Sequence, residues 1–167
     1  RDQPRSRGLG DVYKRQMDRF VQFGVVAALE AVDDAKLRIN NQNAEEIAVI
    51  VASGIGGIIT LSEQIGVMDH KGPSRVSPFL VPMMLPDMAS GQVSMILGTK
   101  GPNFATVSAC SSGADAIGTA YNMVRNGVVN FALAGGSEAA ICPIGVAGFN
   151  ACKALSKQNS DPAKASR

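Results

Sequence analysis

Six consecutive apolar residues, Ile47–Ala52 (IAVIVA), run up against Ser53-Gly54. A strand with one wet face alternates apolar and polar side chains, so an unbroken run of this length needs apolar cover on both faces. This stretch commits the chain to a layered α/β architecture, with helices packed on both sides of a parallel sheet. A second pattern points the same way. Residues 104–109 (FATVSA) read as a strand and 111–125 as a helix with Ala114, Ile117, Gly118 and Tyr121 along one face. Asn126-Gly127 supplies the helix stop, and 129–134 (VNFALA) reads as the next strand. Strand, helix and strand in this order form a βαβ unit with a right-handed crossover.

Other elements follow from periodicity. Over 17–36, Phe20, Val21, Gly24, Ala27, Ala28 and Ala31 keep helical spacing, and Val25, Leu29 and Val32 widen the stripe enough to predict a mostly buried helix. Gly56-Gly57 leads into a helix over 58–70. Pro73, Pro78, Pro82 and Pro86 forbid a long regular helix in the next stretch. A helix over 87–97 ends at Gly98. Residues 1–16 (RDQPRSRGLGDVYKRQ) have no helical or strand period and read as a non-native leader, with a flexible native arm as the alternative. Residues 156–167 are polar and stop without closing an element, so the expected unit is 17–167.

Composition removes several functional classes. Of the 167 residues, 46% are hydrophobic and 18% charged, which is too apolar for a disordered chain. The formal charge of +2 comes from the first 16 residues, and the remainder is near neutral, so no basic face argues for nucleic acid. The longest apolar run is interrupted by Ser53, Gly54, Gly56 and Gly57 and is too short for a bilayer; no membrane partner is expected. Cys110, Cys142 and Cys152 match neither a disulfide framework nor a zinc pattern, which suggests a reducing, cytoplasmic setting and no metal. Gly54-Ile55-Gly56-Gly57 follows a strand as a phosphate loop would. It lacks both the Gly-Lys-Ser/Thr ending and the third spaced glycine of a dinucleotide site, so no cofactor is expected. Gly135-Gly136 reads as a turn needing positive φ.

The chemistry centres on Cys110, placed between a strand and the helix that follows. A side chain at such a junction projects from a sharp turn, as in a nucleophile elbow. Helix N–H groups and their partial positive charge favour a thiolate there and can hold a developing oxyanion. Ala109, Ser111, Ser112 and Gly113 are small enough to admit a substrate carbonyl. The alternative is an inert packing cysteine, which is the reading for Cys142 and Cys152, where no comparable junction is visible. Acyl transfer by a thiolate needs a proton-handling partner. The single histidine, His70, reads as an exposed loop residue among polar neighbours. Either Cys110 is not catalytic or the rest of the site lies outside these residues.

Four segments together resemble a known family: Gly54-Ile55-Gly56-Gly57, Gly72-Pro73-Ser74-Arg75-Val76-Ser77-Pro78-Phe79, Ser108-Ala109-Cys110-Ser111-Ser112-Gly113 and Ala134-Gly135-Gly136-Ser137-Glu138. Ala154-Leu155-Ser156 and the closing residues 161–167 (DPAKASR) agree with it as well. Taken in order, they resemble the β-ketoacyl-acyl-carrier-protein synthase II family of condensing enzymes, and the likeness runs from Met17 to Arg167. The resemblance implies a thiolase-like layered α-β-α-β-α fold of two similar halves, with this chain as most of the N-terminal half. It implies that Cys110 takes an acyl group from acyl carrier protein as a thioester and uses its own backbone N–H in the oxyanion hole. Malonyl-carrier protein then loses carbon dioxide, and its carbanion attacks the thioester. The resemblance further implies that Ile55 lines the acyl tunnel, that Arg75 and Lys153 dock the acidic carrier protein, and that 79–88 packs near the tunnel of a homodimer partner.

The family's catalytic histidines, lysine and glycine-rich loop are expected beyond residue 167, which matches the missing base. Residues 1–167 alone are therefore expected to be inactive and to expose a large apolar interface. A polyketide ketosynthase keeps the same chemistry on another substrate. A non-catalytic carrier-binding module of the same fold, and a cysteine hydrolase of unrelated fold, are the remaining alternatives.

Overall fold

The computed structural model describes residues 16–166. The leader expected over 1–16 lies outside them, apart from Gln16. Helix α1 (Arg19–Asp34) starts where the Asp18 side chain accepts the Phe20 N–H, and it buries Phe20, Val21, Gly24, Val25 and Ala28. A 3₁₀ turn, Ala44–Glu46, leads into strand β1 (Ile47–Ala52), and all six of its residues are buried. Ile47, Val49 and Ile50 are wholly shielded from solvent, and each such side chain contributes roughly 1.5–3 kcal/mol of burial.

Helix α2 (Ile58–Lys71), a 3₁₀ turn (Pro73–Arg75) and the short helix α3 (Leu80–Met84) follow, so the proline-rich stretch holds only short pieces, as expected. Helix α4 (Met88–Leu97) ends on left-handed Gly98. Helix α5 (Ser112–Arg125) precedes strand β2 (Phe131–Gly136), and α6 (Pro143–Ala151) comes last. Strands β1 and β2 pair in parallel, from Ile47 opposite Phe131 to Ala52 opposite Gly136. Helices α1 and α4 pack with Val49, Val51 and Leu133 on one face. Ala116 and Ala120 of α5 pack with Ile50, Ala52 and Ala132 on the other. This helix–sheet–helix layering is the architecture that the unbroken apolar run required.

The expected strand over 104–109 does not form as a ladder. The chain joins β1 only through a parallel bridge between Val49 and Asn103, where Val49 donates to the Pro102 carbonyl (2.9 Å). The Ser90 hydroxyl of α4 occupies the next rung: it accepts the Val51 N–H (2.7 Å) and lies 2.8 Å from the Phe104 carbonyl and 3.1 Å from that of Val51. Its one proton serves either carbonyl. The ladder stops there, and residues 105–108 leave β1 before the turn that holds Cys110.

Strand β2 lies two residues later than expected and includes Gly135 and Gly136, which pair with Val51 and Ala52 rather than forming a turn. Gly136 is small for a different reason: a Cβ there would lie 3.2 Å from the Cα of Gly113, so the residue admits the first turn of α5. His70 stands exposed in the last turn of α2, not in a loop. Helix α6 was not expected. Cys142 is its N-cap and Cys152 its C-cap, so both occupy helix junctions. Cys152 is exposed rather than packed, with its thiol 3.3 Å from the Phe149 carbonyl. No helix among the described residues is long and apolar enough to cross a membrane.

Candidate active site at the strand ends

Both strands and the 103–108 segment deliver their C-terminal ends to one edge of the sheet, where ligand sites of open parallel sheets form. The elbow stands there. Ala109 adopts φ 52, a left-handed conformation that non-glycine residues rarely hold. Ala109–Ser111 forms one 3₁₀ turn and α5 begins at Ser112, so exposed Cys110 sits just outside the helix N-terminus. Among the described residues its backbone N–H has no hydrogen-bond acceptor. A sharp turn, an exposed sulfur and an unpaired N–H thus meet at this junction.

Ser112 holds the turn from inside. Its buried hydroxyl accepts the Ser108 N–H (2.9 Å) and donates to the Ala109 carbonyl (2.7 Å), while Thr106 donates to the Ser112 carbonyl (2.9 Å). Ser108 in turn donates to the carboxylate of Asp115, in the first turn of α5. These bonds enclose Cys110 from both sides in sequence and offset the strain at Ala109.

The post-β1 loop abuts the elbow. A Cβ on Gly54 would lie 3.1 Å from the Ala109 carbonyl oxygen and 3.2 Å from a Glu138 oxygen. One Glu138 oxygen accepts the N–H groups of Gly54 (2.8 Å) and Ile55 (3.0 Å), and the other accepts the Ser53 hydroxyl (3.1 Å). Ser53 accepts the Gly56 N–H, and Gly57 donates to the Met84 carbonyl. Every N–H of 54–57 is therefore satisfied within the chain, and the loop has no free cradle for a phosphate. Its glycines answer to crowding instead, since a Cβ on Gly57 would fall 2.1 Å from the Met83 carbonyl oxygen.

Ile55 is partly exposed on this loop, next to the residue that touches the elbow. Arg75 and Lys153 are exposed on separate surface segments, one in the 3₁₀ turn after α2 and one just after α6 in a left-handed conformation. No hydrogen bond or ion pair among the described residues ties either side chain to the elbow. His70 lies at the far end of α2 from the glycine loop, about 18 Å along the helix axis at 1.5 Å per residue. No group of three or more His, Cys, Asp or Glu side chains among the described residues is placed to hold a metal. Sequence reasoning missed Glu138 and Ser112, which look like ordinary polar residues until the strand ends converge.

A family model described as "Beta-ketoacyl synthase, N-terminal domain" matches residues 6–167. A relative named 3-oxoacyl-[acyl-carrier-protein] synthase 2 from Synechocystis is 50% identical over 153 residues, covering 92% of this chain and 37% of its own length. One of the same name from Staphylococcus aureus is 52% identical over 142 residues, covering 85% and 34%. The chain thus spans about a third of the length of these curated relatives. The crystal structure of a beta-ketoacyl synthase from Burkholderia phymatum superposes with a TM-score of 0.81 at 29% identity, covering 95% of this chain and 40% of that one. A type II polyketide ketosynthase solved with its acyl-carrier protein gives a TM-score of 0.80 at 22% identity, covering 84% and 40%, and shows the shared fold. Matched from residue 6 onward and identical to such relatives at half of the aligned positions, the chain belongs to the beta-ketoacyl synthase family.

Proposed function

We propose that Cys110 is the acyl-accepting nucleophile of a 3-oxoacyl-[acyl-carrier-protein] synthase acting in fatty-acid elongation. The observation that carries this reading is the exposed sulfur on the strained Ala109 turn, at the N-terminus of α5, with its own N–H unpaired. The names of the relatives at 50–52% identity supply the substrate class. In the first half-reaction the sulfur attacks the acyl-carrier thioester. A new S–C bond forms, the carrier thiol leaves with a proton, and the Cys110 N–H stabilises the oxyanion between the two states. In the second, malonyl-carrier protein loses carbon dioxide, and the electron pair left behind attacks the Cys110 thioester. A C–C bond forms and the thiolate departs.

Ile55, beside the elbow, lines the path of the acyl chain. Arg75 and Lys153 project into solvent, where long-range attraction to an acidic carrier protein favours brief, repeated encounters. The segment 79–88 exposes Phe79, Val81 and Leu85 and forms part of the contact with a second subunit.

The test is intact-mass analysis of the full-length protein after incubation with acyl-carrier protein. A mass gain equal to the acyl group, mapped to Cys110 and lost in Cys110→Ala, is expected. An adduct that persists in Cys110→Ala, or no adduct at all, overturns the assignment.

A further inference from the structure

We propose that Glu138 is a positioning residue: by seating its carboxylate on the backbone of the post-β1 loop, it holds that loop against the Ala109 carbonyl and so sets the elbow that presents Cys110. The inference deepens the reading of Cys110 as nucleophile and rests on it only where acyl transfer is measured.

The geometry is closed on every side. The carboxylate accepts the Gly54 and Ile55 N–H groups at 2.8 and 3.0 Å and the Ser53 hydroxyl at 3.1 Å. A carboxylate receiving several well-directed donors is a strong anchor, because hydrogen bonds to a charged acceptor exceed neutral ones. Both anchored segments are already fixed behind it. Ser53 continues β1, and Ser137, next to Glu138, donates to the Ala52 carbonyl at the end of the ladder (2.9 Å). The loop between them is tied at its far end by Gly56 to Ser53 and by Gly57 to Met84, and its first residue leans on Ala109: a Cβ on Gly54 would meet the Ala109 carbonyl oxygen at 3.1 Å, tighter than ordinary contact.

The Ala109 peptide is the strained member of the turn, at φ 52. Ser112 donates to its carbonyl at 2.7 Å, and Gly54 closes in on the same oxygen. Without Glu138 the loop recedes, the Ala109 carbonyl gains space to rotate, and Cys110 drifts from the helix N-terminus. Small displacements of this kind at a reacting atom are costly to rate. Glu138 forms its hydrogen bonds to Ser53, Gly54 and Ile55 and none to the sulfur, so its effect passes through the backbone of 54–55 and 109.

The test uses the full-length protein and three variants: Glu138→Ala, Glu138→Gln and Gly54→Ala. Iodoacetamide labelling of Cys110 is followed against Cys152 as an internal control, alongside acyl loading of Cys110 at saturating acyl-carrier protein and thermal melting. Glu138→Ala is expected to slow labelling and the maximal loading rate of Cys110 about tenfold or more, with Cys152 unchanged. Glu138→Gln recovers most of the rate, because its amide oxygen still accepts from Gly54 and Ile55. Gly54→Ala, whose added methyl crowds both the Ala109 carbonyl and the Glu138 carboxylate, shows the same selective loss and decides the matter if Glu138→Ala does not fold. A folded Glu138→Ala or Gly54→Ala with wild-type Cys110 kinetics overturns the inference, as does a loss that Cys110 and Cys152 share. If wild-type protein never loads acyl groups yet Cys110 labelling depends on Glu138, the positioning role stands and the proposed reaction falls.

Discussion

Two carboxylates tie distant parts of this chain together, and they do so in opposite surroundings. Asp18 is 2% exposed. One of its oxygens caps α1 through Phe20, and the other accepts both the N–H (2.9 Å) and hydroxyl (2.6 Å) of Thr60 in the first turn of α2. Glu138 is exposed and accepts three donors from Ser53, Gly54 and Ile55. The two form similar bonds with different consequences. Asp18 closes two helix starts inside the core, where a lost partner leaves buried donors without solvent to replace it. Glu138 fixes a loop whose Gly54 and Ile55 N–H groups water can reach, although Ser53 itself is buried, so its removal frees movement more than it lowers stability. Burial thus separates a bond that holds the fold from a bond that aims a side chain.

The comparison can be broken at several points. The largest stability effect is expected for Asp18→Ala, which strands three donors in the core and lowers unfolding stability by about 3 kcal/mol, read from the denaturant midpoint. Its folded fraction should label Cys110 at the wild-type rate, and a selective loss there would erase the distinction between the two carboxylates. Ser90→Ala comes next, at about 2 kcal/mol, because it leaves the buried Val51 N–H without an acceptor. A midpoint equal to wild type would mean that the 104–108 segment closes up to replace the hydroxyl. Thr60→Val removes only the hydroxyl arm of the Asp18 pair and is expected to cost about 1 kcal/mol. Glu138→Gln should move the midpoint least of all, while slowing Cys110 labelling by no more than about twofold. A midpoint shift larger than that of Thr60→Val would move Glu138 into the class of Asp18.

Local patterning accounts for what could be read in advance. The unbroken β1 run and the Gly98 stop each carry their signal within one element and stand where expected; the first helix does too, but its buried stripe ends at Ala28, with Ala27 and Ala31 exposed, so it is not the mostly buried helix that its apolar content predicted. The elbow was legible for the same reason, since Cys110 with its small neighbours is a short contiguous motif. Most of the failures are matters of contact across the sequence. The ladder over 104–109 stops because of a serine 14 residues before Phe104. Glu138 finds its donors 83 to 85 residues away. A glycine pair is consistent with positive φ or with close approach, and only the arrival of Gly113 shows that Gly136 belongs to the second case. Gly145 and Gly148 mask α6 by diluting its helical signal, although Pro143 marks its start.

The other contrast lies between the strands themselves. β1 is covered everywhere, whereas Phe131 of β2 is exposed beside Ile117, Tyr121 and Val124 of α5, and together they line an open apolar groove that also reaches Val32 and Leu37. Both segments read as strands in the sequence, and the layers around them differ.

The serine that interrupts the ladder has a mechanical consequence. A parallel seam that ran on past Phe104 would lock the backbone flat up to Ala109 and leave it no slack to bend. By pinning the seam one rung after it begins, the Ser90 hydroxyl works like the stop on a zipper: the sheet stays shut behind it, and the tape beyond hangs loose enough to fold back on itself and lift a sulfur clear of the fabric.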